Sequence, residues 1–379
     1  MTRPIVLATG GTGGHIFPAL ALAHALQSRR QQVHIFTNDL MPWLKEETNG
    51  IPISVLPAAT IFRGGMLRSL FHGLKLLYAC FYALFILSTL RPLAVVGFGG
   101  YPSFAPLFVA RLMRLPTALH EQNRVMGRAN RMLARLGVMP ALSFADTELL
   151  PARVRKRAII TGNPIRSDIV KLGRPAYRPP KRQGPYRLLV IGGSQGAQLF
   201  ARVVPAALSQ LPLAMRQNLQ LTQQCATPDF GRLLQLYRRA RIQVELRDFF
   251  RDLPQRMAEA HLVIARGGAA TVGELAALSR PSILVPLGHS LDGDQAKNVA
   301  ALARQKACLR MDEEGFLPER LAPQLEYLLT HGGVLTDMAR AARLQAQLQA
   351  TARLADFVES LLPKPRGARK KRPAKKAKP

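Results

Sequence analysis

The sequence predicts an α/β protein with two doubly wound parallel-sheet domains that face each other across a cleft. Two observations favour this class. Short apolar or β-branched runs alternate with helical patterns along the chain, and each half begins with an apolar run, a glycine turn and a helix start, "IVLATGGTGGH" and "LLVIGGSQGAQ". With 379 residues, the chain is long enough for two separate cores.

Ten runs along the chain are predicted strands. The first half has "PIVLAT", "QVHIFT", "LAVVGF", "PTALHE" and "AIITGN", and the second has "RLLVIGG", "LQLTQQ", "IQVELR", "HLVIAR" and "PSILVP". Ligands of such sheets bind beyond the carboxyl ends of the strands. Two facing domains would therefore bring both glycine turns to one cleft.

The domain boundaries follow from composition. We expect an N-terminal domain over 1–164, a linker over 165–184, a C-terminal domain over 185–337, an amphipathic C-terminal helix over 338–362 and a disordered basic tail over 363–379. The linker is rich in proline and basic residues and lacks sustained apolar periodicity. The C-terminal helix could pack on either domain.

The charge is extreme. The formal net charge is +30, and nine positive charges lie in the proline-broken tail, which leaves +21 on the rest. Such a balance indicates an anionic partner: nucleic acid, an acidic membrane leaflet or a phosphorylated substrate. Charge alone does not choose among them.

Cysteine usage and the N-terminus indicate the compartment. The three cysteines show no CxxC pair or metal-ligand spacing, which favours a reducing compartment without disulfides or structural zinc. Glycines break the N-terminal apolar run before it could form a secretory signal. The most apolar segment, Leu76–Leu87, has 12 residues against the roughly 20 of a spanning helix, so we expect a non-spanning helix, buried or docked on a membrane surface.

The first glycine turn is a candidate anion site. Gly10, Gly11, Gly13 and Gly14 allow backbone N–H groups at a helix start to approach an anion, although a tight turn that binds nothing is the alternative. A dinucleotide fingerprint would need its third glycine where Ile16 stands, and no P-loop GK[ST] follows. These departures argue against a nicotinamide oxidoreductase without excluding one.

His15 follows that turn directly. A neutral imidazole at the mouth of the cleft can accept a proton from an attacking hydroxyl. Alternatively, the ring could hydrogen-bond to backbone or substrate without transferring a proton. The sequence leaves both roles open.

The second half offers further anion and sugar contacts. "GGSQGA" places the Ser194 hydroxyl at a helix start, where N–H groups and the helix dipole would stabilise a diphosphate. In "VIARGGAATVGELAAL", Thr271 is a hydroxyl donor and Glu274 a carboxylate suited to ribose hydroxyls. The alternative for Glu274 is a helix-starting acid favoured by the dipole. Asp292 and Asp294 resemble a DXD metal motif, but glycine-flanked aspartates are common in turns, so we expect no metal and no cofactor.

Six motifs together resemble one family. "GGTGGH", "GGYPSFAP", "HEQN", "GNPIR", "GGSQGA" and "RGGAATVGELAA" occur in the order found in the MurG family of bacterial N-acetylglucosaminyltransferases, in glycosyltransferase family 28. The similarity extends from Ile5 to about Leu361, which leaves out only the basic tail. Single motifs are unspecific, but the combination is highly specific.

The resemblance implies a GT-B fold and an inverting transfer of GlcNAc from UDP-GlcNAc to the C4 hydroxyl of MurNAc in lipid I, giving lipid II. It places the donor mostly on the C-terminal domain and the lipid acceptor on the N-terminal, membrane-associating domain, with His15 as candidate base. The donor contacts that it implies are Thr12, Gly13, Gly14, Asn123, Arg166, Ser194, Phe250, Ala269, Ala270, Thr271, Val272, Gly273, Glu274 and Gln295.

The chain departs from the family at two places. The family commonly has a serine where this chain has Gly267 or Gly268, and a paired glutamine where Asp294 precedes Gln295.

The family's lipid acceptor implies a peripheral position at the cytoplasmic face of the bacterial inner membrane, on its anionic leaflet. "IFRGGMLRSLFHGLKLLYACFYALF" mixes apolar and basic residues as an interfacial surface would. The basic tail would add electrostatic attraction, or it is a functionless extension.

Two rivals remain. One is another GT-B UDP-sugar transferase with a different acceptor. The other is a basic nucleic-acid-binding protein, but one tryptophan and 6% aromatic residues provide little of the stacking that base recognition uses. No specific nucleic acid is expected.

Overall fold

The computed structural model describes residues 3–57, 66–173, 176–290 and 292–363. Within these ranges the chain forms two domains, each built on one fully parallel sheet with helices on both faces. All ten predicted strand runs form strands, so the predicted doubly wound class is confirmed.

The N-terminal sheet has the order β3-β2-β1-β4-β5-β6-β7 among the described residues. This order reverses direction beside β1, and a ligand crevice lies at such a switch point. Its strands are β1 Ile5–Ala8, β2 Val33–Thr37, β3 Ile53–Val55, β4 Ala94–Gly97, β5 Thr117–Glu121, β6 Met139–Leu142 and β7 Ile159–Ile160.

Helices cover both faces of this sheet, and β1, β4 and β5 are buried along their whole length. Continuous burial explains why β1 and β4 are apolar at every position. The helices of this part of the chain are α1 Gly13–Ser28, α2 Pro42–Glu47, α3 Met66–Leu90, α4 Phe104–Leu112, α5 Arg128–Arg135, α6 Ala152–Arg155 and α7 Ser167–Leu172.

The C-terminal sheet repeats the plan with the order β10-β9-β8-β11-β12-β13 among the described residues. Its strands are β8 Tyr186–Ile191, β9 Leu219–Gln224, β10 Gln243–Arg247, β11 Leu262–Arg266, β12 Ser282–Val285 and β13 Leu309–Arg310. Its helices are α8 Gly193–Ser209, α9 Leu213–Gln217, α10 Phe230–Arg239, α11 Leu253–Glu259, α12 Ala269–Ala277, α13 Asp294–Arg304, α14 Pro318–Thr330 and α15 Gly332–Leu344; the last helix is α16 Ala350–Ser360.

The C-terminal helix differs from the prediction. Residues 338–362, expected as one helix, contain the end of α15 and all of α16, which are separate helices. α15 packs into the C-terminal domain through Leu335 and Met338, whereas α16 packs against α1 through Leu354 and Val358. The chain therefore returns to the N-terminal domain. Arg29 fixes α16 there, 2.8 Å from the Glu359 carboxylate.

The predicted linker also contains a helix. α7 lies within residues 165–184 and buries Ile169 in the core of the C-terminal domain. A helix of six residues shows too little periodicity to be recognised from sequence.

α3 is longer than the apolar segment noted in the sequence. By length and composition alone, Gly73–Leu90 could cross a membrane, and 17% of that window is buried. Ala79, Ala83 and Leu87 pack into the core of the N-terminal domain, so one side of α3 is bound to the domain. The predicted basic tail lies outside the described residues, except for residue 363.

Candidate active site

The first glycine turn joins β1 to α1 at the carboxyl edge of the N-terminal sheet. Gly10 has φ +144°, and a Cβ there would collide with Asn38 Oδ1, so this position needs glycine. Asn38 Oδ1 accepts the Gly11 N–H at 3.0 Å. Thr12 is the N-cap of α1, which places His15 in the first turn of the helix.

His15 lies against the loop that follows β4. A Cβ on Gly99 would stand 3.3 Å from His15 Cε1, so the "GGY" glycines allow the imidazole to approach the backbone. His15 Nδ1 lies 3.3 Å from Oε1 of Gln122, which follows β5. The carboxyl ends of β1, β4 and β5 thus meet around this ring.

The environment of His15 favours the neutral imidazole. Burial lowers its pKa below 6.5, against opposing contributions from the Gln122 hydrogen bond, the Phe98 carbonyl and the negative charge of Asp294. The ring can therefore accept a proton at neutral pH. The influence of Asp294 also shows that α13, from the other domain, lies near this ring.

Glu121 organises the loop after β5. Its carboxylate is buried and accepts the N–H of Asn123 at 3.0 Å, the N–H of Gly127 at 2.9 Å and Nδ2 of Asn130 at 2.8 Å. Burial raises the pKa of Glu121, while these hydrogen bonds lower it. Glu121 also accepts Asn123 Nδ2 at 3.3 Å, which turns Asn123 Oδ1 away from the carboxylate.

A buried amide joins the two domains at this loop. Asn298 of α13 donates from Nδ2 to Asn123 Oδ1 at 3.0 Å and to the Gly267 carbonyl at 3.3 Å. Its Oδ1 accepts the Arg124 N–H at 3.1 Å. One side chain of the C-terminal domain therefore holds the "HEQN" loop of the N-terminal domain beside the Gly267 turn.

Arg166 and Glu274 form a second pair in the cleft. Arg166 Nε lies 3.6 Å from the Glu274 carboxylate, and both side chains are largely buried. Burial raises the pKa of Glu274 to about 7, which Arg166 opposes and Asp168 reinforces. The Arg166 guanidinium also lies 4.7 Å above the Phe17 ring of α1.

Aromatic rings connect the domains next to Phe250. Trp43 of α2 stacks between Phe17, at 5.3 Å, and Phe249, at 5.8 Å between centroids. Phe250 itself is buried, with the Arg256 guanidinium 4.6 Å above its ring. In the segment after β10, Phe249 thus contacts Trp43 and Phe250 contacts Arg256.

The remaining predicted residues lie at helix starts around the cleft. Ala269 to Glu274 form the first turns of α12, and the Ala269 carbonyl accepts Asn163 Nδ2 at 3.1 Å. Gln295 lies in the first turn of α13, where its Oε1 accepts the Leu287 N–H at 3.1 Å. Ser194 belongs to the first turn of α8, and its side chain lies outside what the structure describes.

Of the aspartate pair near α13, Asp292 makes a contact between the domains. Asp292 lies 3.1 Å from Arg131 and 3.6 Å from Arg128, both on α5 of the other domain. Within the described ranges, no group of three or more His, Cys, Asp or Glu residues could hold a metal ion.

Sequence reasoning missed Gln122, Glu121, Asn298 and Trp43. The first two stand inside "HEQN", where the resemblance implies a donor contact for Asn123 alone. The sequence position of Asn298 could have indicated its role, because it lies three residues after Gln295 and therefore on the same face of α13. No sequence pattern indicates the role of Trp43, since its partners lie on distant segments.

Comparison with known proteins decides the family. Sequence profiles of the glycosyltransferase family 28 N-terminal and C-terminal domains match residues 5–137 and 187–358. A UDP-N-acetylglucosamine--N-acetylmuramyl-(pentapeptide) pyrophosphoryl-undecaprenol N-acetylglucosamine transferase of Rhodopseudomonas palustris HaA2 is 43% identical over 93% of this chain and 97% of its own. The same-named enzyme of Granulibacter bethesdensis is 43% identical over 95% and 94%. The crystal structure of Acinetobacter baumannii MurG superposes with a TM-score of 0.71 and 30% identity over 94% of this chain and 99% of that one. The chain belongs to the MurG family.

Structures outside the MurG family share the architecture alone. The kitacinnamycin glycosyltransferase superposes with a TM-score of 0.67 at 16% identity, covering 96% of this chain and all of that one. The GT-B arrangement predicted from the motifs is confirmed.

The two glycines of the turn after β11 differ in how much space surrounds them. A Cβ at Gly267 would overlap Val299 Cγ2 and stand 3.0 Å from the Gln295 carbonyl, whereas nothing lies within 4 Å of a Cβ at Gly268. α13 approaches the turn so closely that a serine at position 267 would have to displace it.

Proposed function

We propose that the chain transfers N-acetylglucosamine from UDP-N-acetylglucosamine to the C4 hydroxyl of the N-acetylmuramoyl unit of lipid I, an inverting reaction that gives lipid II in peptidoglycan biosynthesis. The observation that carries this function is the 43% identity to enzymes named for the reaction, over 93% of the chain. The cleft supports it, because the motifs of both domains meet there.

His15 is the proposed general base. The C4 hydroxyl attacks the anomeric carbon from the face opposite UDP, the bond from that carbon to the diphosphate breaks, and His15 takes the hydroxyl proton. The lowered pKa of His15 keeps the imidazole neutral, so one ring nitrogen can accept that proton. Loss of a general base typically costs ~10²–10⁴-fold in rate.

The leaving diphosphate is stabilised by helix starts and by Arg166. α8 begins at Gly193 directly after β8, so its first N–H groups lack partners within the helix and face the carboxyl edge of the sheet. Arg166 already lies beside Glu274, the proposed ribose contact, and adds a fixed positive charge.

The test is transfer of GlcNAc to a lipid I analogue, measured as UDP release together with product mass. We expect turnover with UDP-GlcNAc, little with UDP-glucose, and a ~10²–10⁴-fold loss of kcat in His15→Ala with the UDP-GlcNAc dissociation constant unchanged. His24→Ala, on the same helix, is the matched control. Turnover with another acceptor but not with lipid I would favour the other GT-B transferase.

We further propose that α3 docks on the anionic cytoplasmic leaflet of the inner membrane, where a lipid-linked acceptor resides. Its outward side exposes large apolar side chains, among them Tyr78 at 61%, Phe81 at 62% and Phe85 at 70%. Opposite them, Ala79 and Ala83 are buried in the domain core, so the apolar outer side lacks a partner in the described chain.

Vesicle flotation tests this docking. Phe81→Ser with Phe85→Ser should release the protein from vesicles of anionic phospholipid, whereas Tyr327→Ser, at an exposed aromatic on the C-terminal domain, should not. Salt should weaken the wild-type interaction, because charge contributes roughly 1 kcal/mol per basic residue. If vesicles retained the wild-type protein, the double phenylalanine variant and Tyr327→Ser equally, the assignment of this surface would be contradicted.

A further inference from the structure

A chain of four hydrogen-bonding groups runs from the "GNPIR" segment to the proposed base. His120 Nε2 lies 2.9 Å from the Gly162 carbonyl, Gln122 Nε2 lies 3.2 Å from His120 Nδ1, and Gln122 Oε1 lies 3.3 Å from His15 Nδ1. His120 and Gln122 are both fully buried, so water does not compete for these contacts.

The position of each proton follows from the first acceptor. A carbonyl oxygen only accepts, so His120 carries its proton on Nε2 and presents a lone pair on Nδ1. Burial lowers the pKa of His120 to about 4, which keeps the ring neutral. Gln122 must therefore direct its amide nitrogen at His120, and the same nitrogen donates to the Phe98 carbonyl at 2.9 Å.

The orientation of Gln122 decides the tautomer of His15. The amide nitrogen faces three acceptors, the Phe98 carbonyl, His120 Nδ1 and the His120 carbonyl at 3.3 Å. Oε1 is therefore the atom that faces His15, and an oxygen without a proton requires a donor. His15 therefore holds its proton on Nδ1. In a neutral imidazole the lone pair is then on Nε2.

We propose that His120 and Gln122 are positioning residues that fix the tautomer of His15, so that Nε2 is always the proton acceptor during glycosyl transfer. During the reaction Nε2 takes the proton of the acceptor hydroxyl, and the imidazolium keeps its Nδ1–H bond to Gln122. The proton leaves Nε2 for solvent when the site reopens. This inference rests on the proposed function only because that function identifies the hydroxyl whose proton Nε2 accepts.

Spectroscopy on the unliganded enzyme tests the tautomer without any substrate. Long-range ¹H–¹⁵N spectra of protein labelled with ¹⁵N-histidine, with His15 assigned by its loss in His15→Gln, should show the unprotonated nitrogen at Nε2. In Gln122→Met the two tautomers should mix. A wild-type lone pair on Nδ1, or an unchanged tautomer in Gln122→Met, would overturn the proposal.

Kinetics separate a positioning role from a structural one. Gln122→Met should lower kcat by on the order of tenfold or more, short of the ~10²–10⁴-fold loss of the base itself, with KM for UDP-GlcNAc unchanged. Gln122→Glu keeps an oxygen facing His15 Nδ1 but loses the amide donor to the Phe98 carbonyl and His120 Nδ1, so kcat should fall by less than in Gln122→Met while the acid limb of kcat/KM moves to higher pH. The other groups that act on this titration, the Phe98 carbonyl, Asp294 and His120, are unchanged in both variants.

The matched control is Gln223→Met. Gln223 is also fully buried, but it accepts the Tyr237 hydroxyl in the C-terminal domain. It should alter neither tautomer nor pH profile. Equal kinetic loss in Gln122→Glu and Gln122→Met, without a pH shift, would assign Gln122 a structural role. If wild-type enzyme left lipid I unmodified, the proposed function would be wrong. The tautomer measured by spectroscopy would still support or contradict the positioning role of Gln122.

Discussion

Glu274→Gln should remove a pH dependence of donor binding that the wild-type cleft imposes. The Glu274 side chain is 12% exposed and its pKa is raised to about 7 by burial, even with Arg166 Nε 3.6 Å away. In the proposed function the carboxylate accepts hydrogen bonds from ribose hydroxyls, which requires the ionised form. Donor binding should therefore strengthen as pH rises through 7.

The size of the effect follows from that pKa. If only the ionised enzyme binds, the dissociation constant at pH 6 should be about tenfold above that at pH 8, because roughly one molecule in ten is ionised at pH 6. The Gln variant should show no such slope. It should also bind about 10- to 150-fold more weakly at pH 8, since hydrogen bonds to charged groups contribute roughly 1.5–3 kcal/mol.

Stability should change in the opposite direction. A carboxyl whose pKa rises from 4.5 to about 7 on folding costs the folded state free energy as it ionises. The penalty is absent below about pH 4.5, grows as pH rises towards 7 and is constant above, at most roughly 3 kcal/mol. Glu274→Gln should melt at a higher temperature than wild type at pH 8 and at a similar temperature at pH 4.5.

Calorimetric titration with UDP-GlcNAc at pH 6, 7 and 8, without acceptor, measures the binding part. The sugar nucleotide is preferable to UDP, whose terminal phosphate titrates near pH 6. The exposed Glu326→Gln variant controls for a lost negative charge and should bind as wild type does. A wild-type constant independent of pH, or a Gln variant that retains the slope, would refute the assignment of Glu274.

Two further predictions concern the closed cleft. Asn298→Asp replaces the Nδ2 amide, which donates two hydrogen bonds, with a carboxylate oxygen that faces the Asn123 and Gly267 oxygens. KM for UDP-GlcNAc should therefore rise at least tenfold, and small-angle scattering should show a larger radius of gyration. An unchanged radius would contradict the amide bridge. Trp43→Leu should raise KM for UDP-GlcNAc about 2- to 13-fold at constant kcat, since an aromatic pair contributes roughly 0.5–1.5 kcal/mol, whereas Trp43→Phe should keep most of the affinity. Trp43 is the sole tryptophan, so its fluorescence should change when UDP-GlcNAc binds and stay constant if the stack lies outside the donor path.

The regular fold could be predicted because buried parallel strands leave a strong local signal. Runs such as β1 and β4 are apolar at every position, since helices cover both faces of the sheet. β3, β6 and β13 escaped prediction. β3 is only half-buried, β6 contains a proline, and β13 has two residues, so none shows an apolar run of normal strand length.

The candidate site was predictable in part for a similar reason. Glycines and hydroxyls at helix starts mark anion sites locally, so the turn before His15 could be recognised. The groups that set the chemistry of His15 come from distant segments. Gln122 is 107 residues away, and its role depends on which way a neutral amide faces. No local pattern encodes that orientation, since it is dictated by acceptors on other strands.

The cleft groups proposed to bind the donor already have polar partners within the protein. Arg166 pairs with Glu274 and covers Phe17. In the proposed function, UDP-GlcNAc must replace these contacts with its ribose and diphosphate. Only the difference between the two sets appears as binding free energy. The donor should therefore bind with modest affinity. Substitution of Arg166 or Glu274 should weaken binding towards the lower end of the range for hydrogen bonds to charged groups, because each substitution also removes a competitor of the ligand.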